Sequence, residues 1–365
     1  VRLEVLPVVG IGDVTPGDDL ADLIAGAAPW LRDGDVLVVT SKIVSKAEGR
    51  LVEVPPDGPE RIAARERALA AETARPVARR GATRIVQTHH GFVMAAAGID
   101  ASNVDPSKLV LLPKDPDASA RALRAALRDR HGRHVAVVVS DTMGRPWRNG
   151  LTDVALGVAG MPPIRDHRGE VDPYGNELSI TQMAVVDELA AAGELVKGKC
   201  AQVPVAVVRG YLDATDADDG PGAAGLVRDA GSDLFSLGTA EARADGLRAA
   251  ATLPETGPVA LAGAGPEAGA VDRAIATVAG AVAPGTVFVE VTDPVVRARR
   301  AAGLPGWPAG ATAMVDCLPP AAVTPAALIR FGADVHRLRA ALAAEGMAST
   351  VLTPPDPAPA VVLAC

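Results

Sequence analysis

Apolar and polar positions along this chain alternate with two different periods, and the switches between them mark out its elements. A continuous β-branched run at Asp35-Val-Leu-Val-Val-Thr40 predicts a buried strand, and further strands are expected at Val135 to Val139 and Val203 to Val208. Shorter strands are expected at Val1 to Pro7, Ile85 to Gln87, Gly91 to Met94 and Lys108 to Leu112. Helical spacing predicts helices over Leu20 to Leu31, capped by Asp18 or Asp19, from Asp117-Ala-Ser119 to Arg130, and from Thr181 to Val196. Arg61 to Arg80, where charges alternate with alanine, reads as a solvent-facing helix interrupted at Pro76, and Asp233 to Ala242 resumes helical structure. Strands and helices mix throughout, which predicts an α/β protein with α+β mixed sheets.

Prolines and a glycine in Leu253-Pro-Glu-Thr-Gly-Pro258 interrupt both periods, so a domain boundary is expected there, with one domain over residues 1–248 and a smaller one over 249–365. At 365 residues the chain is long enough for two cores. In the smaller part the pattern predicts strands near Val259 to Ala262 and at Val287 to Val291, and helices near Val271 to Val282 and at Asp334 to Glu345. The stiff run Pro354 to Pro359 then leads to a last strand, Val361 to Cys365.

Three of the strand ends carry chemistry. The run Val137-Val-Val-Ser-Asp141-Thr142-Met-Gly-Arg145-Pro-Trp147-Arg148 is expected to end abruptly on a carboxylate, a hydroxyl and two guanidinium groups, and Ser41 to Lys46 and Asp100 to Asn103 stand at two other strand ends. Aspartate and threonine oxygens are hard ligands of the kind Mg²⁺ or Mn²⁺ prefers, and arginine suits bidentate contact with an oxyanion. Carboxylates from separate strand ends beside cations are the parts of a phosphoryl-transfer site. Lys42 and Lys46, four apart, share a face if the segment is helical. Each signal has a plainer reading: Asp100 as a cap or Asx-turn, Asp141-Thr142 as a cap, and the two lysines as solvated surface residues. Taken together those readings require three coincidences.

Charge and composition narrow the classes. A net charge of -8 argues against a general nucleic-acid binder. Cys200, Cys317 and Cys365 form neither a metal pair nor an even disulfide framework, so reduced thiols are expected. No apolar run is long enough to span a bilayer and the start lacks a signal-peptide pattern, so a cytoplasmic protein without membrane attachment is the expectation. There is no GxxxxGK[ST] phosphate loop, and Gly263-Ala-Gly265-Pro-Glu-Ala268, with Glu290 beyond it, meets a dinucleotide pattern only loosely. His89-His90, if on a strand, point to opposite faces and cannot easily share an ion.

The motifs taken together resemble the coenzyme F-420-0:γ-glutamyl ligase family, including the ligase half of two-domain actinobacterial enzymes. The resemblance runs through Leu6-Pro-Val-Val-Gly, Gly17-Asp-Asp-Leu20, Asp33 to Arg50, Ala97-Gly-Ile-Asp100-Ala-Ser-Asn103, Leu112 to Ala120, Asp141 to Arg148, Asp172-Pro-Tyr-Gly-Asn-Glu-Leu178 and Pro204 to Gly210. It implies that Ile11, Gly12, Asp13, Val14, Ser41, Lys46 and Asn103 contact GTP, that Asp100 and Asp141 hold one divalent ion, and that Thr142 stands at a second. Magnesium or manganese, with potassium as a further ion, are the implied cofactors. The implied reaction is GTP-dependent: the carboxylate of the deazaflavin substrate, coenzyme F-420-0, is phosphorylated, L-glutamate displaces phosphate from the acyl phosphate, and further glutamates follow in γ-linkage. Lys46, Arg145 and Arg148 are the expected catalytic residues, with Arg168 a further candidate for the anionic substrate, and a homodimer is the expected assembly.

The C-terminal part departs from that pattern. Two-domain relatives continue into a full flavin nitroreductase-like domain, whereas residues 249–365 resemble at most an abbreviated remnant, and flavin-dependent reduction is not expected. Two other readings remain open: a GTP-dependent amide ligase acting on a different carboxylate, and a non-catalytic GTP-binding protein.

Overall fold

The run Val36 to Val39 is apolar at every position, and a strand of that kind needs cover on both faces. A computed structural model, which describes the chain except residues 1, 103, 200, 216–217, 255–265 and 355–360, supplies that cover. Val1–Glu241 forms one unit and Ala242–Cys365 a second. The expected strand near Val259 to Ala262, most of the expected boundary, Gly263 to Gly265, Asn103, Cys200 and all but the first residue of the Pro354 to Pro359 run lie outside the described residues.

In chain order the first unit holds β1 (Glu4–Val8), α1 (Leu20–Ala27), β2 (Val36–Thr40), α2 (Ser41–Ala47), β3 (Leu51–Glu53), α3 (Gly58–Glu72), β4 (Thr73–Arg80), β5 (Thr83–Thr88), β6 (Val93–Ala95), β7 (Lys108–Val110), α4 (Pro116–His131), β8 (Ala136–Arg145), β9 (Arg148–Ala159), β10 (Arg165–Asp166), β11 (Gln182–Met183), α5 (Val185–Lys197) and β12 (Val205–Arg209). The central sheet has the order β1-β12-β2-β8-β9, parallel only between β2 and β8. Side chains alternate across it. Leu37, Val39, Val137 and Val139 join a core with Ile24, Leu123 and Leu127 of α1 and α4, while Val36, Val38, Ala136 and Val138 join another with Val186, Leu189 and Ala190 of α5. Burying each of these valine, leucine and isoleucine side chains contributes about 1.5–3 kcal/mol. Three small sheets, β3-β7, β4-β5-β6 and β10-β11, complete the unit.

Local signals explain the helix ends. The Asp19 carboxylate caps α1, accepting from Ala21 N at 2.9 Å and Asp22 N at 3.1 Å, while Asp18 turns back to Thr15 N at 2.7 Å. Asp115, not Asp117, caps α4; Asp117 instead accepts from Val158 N and Ala223 N, both at 2.8 Å. Gly193 lets α5 lie close on the sheet, because a Cβ there would stand 2.9 Å from the Val38 side chain.

Several expectations are corrected. The helix expected over Arg61 to Arg80 ends at Glu72, and the remainder is β4, whose pairing with β5 places Pro76 beside a bulge. Residues Gln182–Met183 form β11, and α5 starts only at Val185. The strand expected to stop before Asp141 continues to Arg145, because β9 pairs with it along its whole length.

The second unit is an antiparallel sheet carrying helices. Following α6 (Thr239–Ala251), it holds α7 (Ala270–Val278), β13 (Val287–Glu290), α8 (Pro294–Ala302), β14 (Met314–Leu318), α9 (Pro325–Ala344), β15 (Thr350–Leu352) and β16 (Val361–Ala364), with the sheet order β13-β14-β16-β15. α7 and α9 pack through Val271, Ala274, Val335, Leu338 and Leu342 against Val315, Cys317 and Leu363. α9 begins nine residues before the expected Asp334, because Thr324 caps it, accepting from Ala327 N at 3.1 Å, and Pro325 occupies its first position. Among the described residues no helix is long and apolar enough to cross a membrane.

Candidate active site at the carboxyl edge of the sheet

The parallel pairing of β2 with β8 decides where the site lies. Thr40 stands beside Ser140, so the chain leaves β2 into α2 at the same edge where β8 reaches Asp141. Val8 faces Val205, and Val205 faces Val39, so the loop after β1 and the residues entering β12 stand at that edge too. Four separate segments therefore converge there, in accord with the general preference of open α/β sheets for sites at strand carboxyl ends.

Two of those segments are tied together by a lysine. Ile11 and Val14 bury their side chains in the core, leaving Gly12 and Asp13 exposed. The Asp13 carboxylate accepts from Lys46 Nζ at 2.7 Å, which links the loop to α2. Ser41, the first residue of α2, is buried. Because α2 is helical, Lys42 and Lys46 lie on one side of it, as their spacing predicts.

Lys42 reaches Asp100. Its Nζ lies 2.5 Å from Asp100 Oδ2 and donates to Ser102 Oγ at 2.9 Å. Asp100 is held by a backbone bridge to Val110, and its carboxylate also accepts from Ser102 N at 2.7 Å and Ser102 Oγ at 3.0 Å. The Asx-turn is thus present, and a cation contact is added to it. Burial works to raise the Asp100 pKa, but the hydrogen bonds from Lys42 and Ser102 and the lysine's charge outweigh it, holding the carboxyl below its usual range.

Asp141 is in the opposite condition. Burial, reinforced by the negative charges of Asp153 and Asp100, pushes its carboxyl up to about 6, against the Thr142 N–H at 2.8 Å and the charge of Lys42. Asp100, Asp141 and Lys42 therefore act on one another electrostatically. Next to Asp141, Thr142 Oγ1 donates to Asp153 Oδ1 at 2.6 Å and accepts from Lys199 Nζ at 2.7 Å. Behind it, Asp153 Oδ2 accepts from Ser140 Oγ at 2.9 Å and from Lys197 Nζ at 2.8 Å, all three residues being buried.

Other expected site residues stand apart. Arg145 and Arg148 pair at the tip of the β8–β9 hairpin; with a rise of about 3.3 Å per residue, Arg145 lies roughly 13 Å along the strand from Asp141. Both are exposed and, among the described residues, neither side chain has a hydrogen bond or ion pair. Arg168 is engaged by Asp166, with Nη2 at 2.5 Å from Oδ2. His89 and His90 occupy a turn rather than a strand, and His90 stacks on Phe92.

The donor set fits a divalent cation. Asp100, Asp141 and Thr142 offer hard oxygens, and the negative charge at Asp141 is incompletely compensated by Lys42. Among the described residues no three His, Cys, Asp or Glu side chains gather as an ion-binding group, so such an ion would draw its remaining ligands from phosphate and water.

Reading the strand ends alone misses Asp153, Lys197, Ser140 and Lys199. A signal exists for one of them: the buried stripe of α5 runs Val186, Leu189, Ala190, Gly193, Lys197, so a lysine occupies an apolar helix position. Asp153 lies directly opposite Thr142 on β9, a strand with no separate sequence expectation.

With this geometry established, the likeness to known proteins is specific. Residues 9–210, more than half of the chain, match the F420-0:gamma-glutamyl ligase family. The chain belongs to that family. It is 43% identical over 253 residues to the coenzyme F420:L-glutamate ligase of Methanothermobacter thermautotrophicus, covering 64% of this chain and 97% of that protein. It is 40% identical over 249 residues to the coenzyme F420:L-glutamate ligase of Methanopyrus kandleri, covering 64% and 97%, and 43% identical over 252 residues to that of Haloarcula marismortui, covering 64% and 95%.

Proposed function

We propose that this chain is a GTP-dependent ligase, requiring Mg²⁺ or Mn²⁺, that joins L-glutamate to the carboxylate of coenzyme F-420-0 and then adds further glutamates in γ-linkage. One observation carries the reading: in a member of this family, the Asp100 carboxylate meets the Lys42 ammonium, within electrostatic reach of Asp141, at the carboxyl edge of the sheet beside the loop that Lys46 holds. That arrangement suits the charge of a nucleoside triphosphate meeting a carboxylate.

In the proposed reaction an oxygen of the substrate carboxylate attacks the γ-phosphorus, the bond to the β-phosphate oxygen breaks, and GDP leaves with the electron pair. The glutamate amine then attacks the acyl carbon, the bond to the phosphate oxygen breaks, and phosphate leaves as the amine loses its proton. Ile11, Gly12, Asp13, Val14, Ser41, Lys46 and Asn103 hold the nucleotide, with Lys46 exchanging its Asp13 contact for phosphate oxygen. Asp100 and Asp141 would hold one divalent ion and Thr142 would stand at a second, and the ions would supply neutralisation of charge on the transferred phosphoryl group. Arg145, Arg148 and Arg168 contact anionic groups of the substrate, potassium is a further cation of the site, and the working assembly is a homodimer.

The test is direct. The protein is incubated with GTP, Mn²⁺, L-glutamate and the glutamate-free deazaflavin, and products are weighed by mass spectrometry while GDP and phosphate are measured. Acceptor gaining one or more glutamyl residues, with one GDP and one phosphate per bond, is the expected result. Unchanged acceptor and intact GTP would reject it.

A further inference from the structure

A buried ion pair stands immediately behind the proposed metal site. Lys197 and Asp153 are 2% and 3% exposed, and their charged atoms lie 2.8 Å apart. Such a pair costs several kcal/mol of desolvation and is commonly matched in stability by apolar residues, so stability alone does not account for it. What distinguishes this pair is where its hydrogen bonds lead. Asp153 Oδ2 is filled by Lys197 and Ser140, and Oδ1 is left for the Thr142 hydroxyl, 2.6 Å away on the facing strand.

A hydroxyl has one hydrogen and two lone pairs. Once the hydrogen is committed to Asp153, only lone pairs remain to face anything else, and Lys199 Nζ, at 2.7 Å, already uses one. Without an acceptor at Asp153 the hydroxyl is free to turn its hydrogen toward an approaching ion. Lys197 in turn keeps the buried acceptor charged, and Gly193, one helical turn earlier, lets α5 come close enough to the sheet for the lysine to arrive. We propose that Asp153, held by Lys197 and Ser140, is a positioning residue that fixes the Thr142 hydroxyl as a lone-pair donor to a second divalent cation, next to the one at Asp100 and Asp141. The inference rests on the metal reading proposed for that site and names residues that act through Thr142 rather than touching the ion.

Direct Mn²⁺ binding, followed by the electron paramagnetic resonance of the free ion, tests it without reference to turnover. The informative variant is the neutral pair Asp153→Leu with Lys197→Met, which removes the acceptor and both charges of the pair, compared with Thr142→Val and with all three substitutions together. The neutral pair is expected to keep the native circular dichroism and to bind Mn²⁺ about tenfold more weakly, as loss of an outer hydrogen-bond partner commonly does. The triple variant is expected to bind no more weakly than Thr142→Val alone, since the pair acts through that hydroxyl. Unchanged affinity in the neutral pair, or losses that add in the triple variant, would overturn the inference while leaving the metal reading standing. Wild-type protein that binds no Mn²⁺, with or without GTP, would overturn both. Should the neutral pair fail to fold, Asp153→Glu keeps the charge and displaces only the acceptor; the same weakening supports the role of Asp153, and wild-type affinity rejects it.

Discussion

Lys42 Nζ lies 2.5 Å from Asp100 Oδ2, so a cation already faces the carboxylate that is proposed to receive a divalent ion. The ammonium and the ion compete for the same oxygen and repel each other. Lys42→Met is therefore expected to tighten Mn²⁺ binding several-fold in the absence of GTP, while lowering glutamate transfer, because the phosphates lose a positive partner. Titration with Mn²⁺ and a phosphate-release assay read the two effects separately. Weaker Mn²⁺ binding would instead show that the lysine serves to orient Asp100.

Asp141 offers a second test, in which function and stability move in opposite directions. Its folded-state pKa, about 6, lies above the ordinary 3.8, so the ionised group works against folding. That penalty is absent below about pH 4, grows through pH 6 and is constant above it. Asp141→Asn removes the charge in a side chain of nearly the same shape. Transfer activity is expected to fall by about two orders of magnitude. In EDTA at pH 7 the variant is expected to unfold at a higher temperature than wild type, with the gap closing at pH 4. A variant less stable than wild type at pH 7 would contradict this account.

Asp19 gives the reverse pH dependence. The hydrogen bond from Arg130, with the Asp22 and Ala21 N–H groups and the arginine's charge, outweighs burial and lowers its pKa to about 2. The stabilising contribution is present above the ordinary 3.8 and is lost as pH falls through 2. The side chain is 45% exposed, so screening weakens the ion pair and the cap dominates. Asp19→Ala is expected to cost about 1 kcal/mol at pH 7 by urea unfolding, with the difference shrinking between pH 4 and 2.

Close packing of α5 can be tested at one atom. Gly193→Ala places a methyl 2.9 Å from the Val38 Cβ, closer than carbon atoms pack, so the central strand or the helix must shift to admit it. A loss of about 1–3 kcal/mol in urea unfolding is expected. Because Lys197 lies one turn further along the same stripe, Mn²⁺ binding is expected to weaken as well. Wild-type stability would show that the helix shifts freely on the sheet.

Much of the first unit is legible in the order of its residues. The β-branched runs form β2, β8 and β12, and the choice between Asp18 and Asp19 is resolved by a cap whose hydrogen bonds need no distant residue. Arg61 to Arg80 misleads because alternating alanine and charge suits a helix locally. Pairing of Thr73–Arg80 with β5 overrides that preference, and no residue inside the segment announces it. Asp141 lies within a strand rather than beyond its end for the same reason: β9 extends the hairpin by pairing, which is a property of two segments at once.

Whatever depends on neighbours along the chain therefore follows from residue order alone: the buried strands, the caps, and the gathering of hard oxygens and ammonium groups at Ser41 to Lys46, Asp100 and Asp141. Which of those groups face one another is a property of the folded chain. The parallel register of Thr40 beside Ser140 brings α2 to Asp141, and the pairing of Thr142 with Asp153 supplies the carboxylate that Lys197 reaches from α5. A charged side chain's state is set by the burial and charges around it, and these come from segments far apart in the chain.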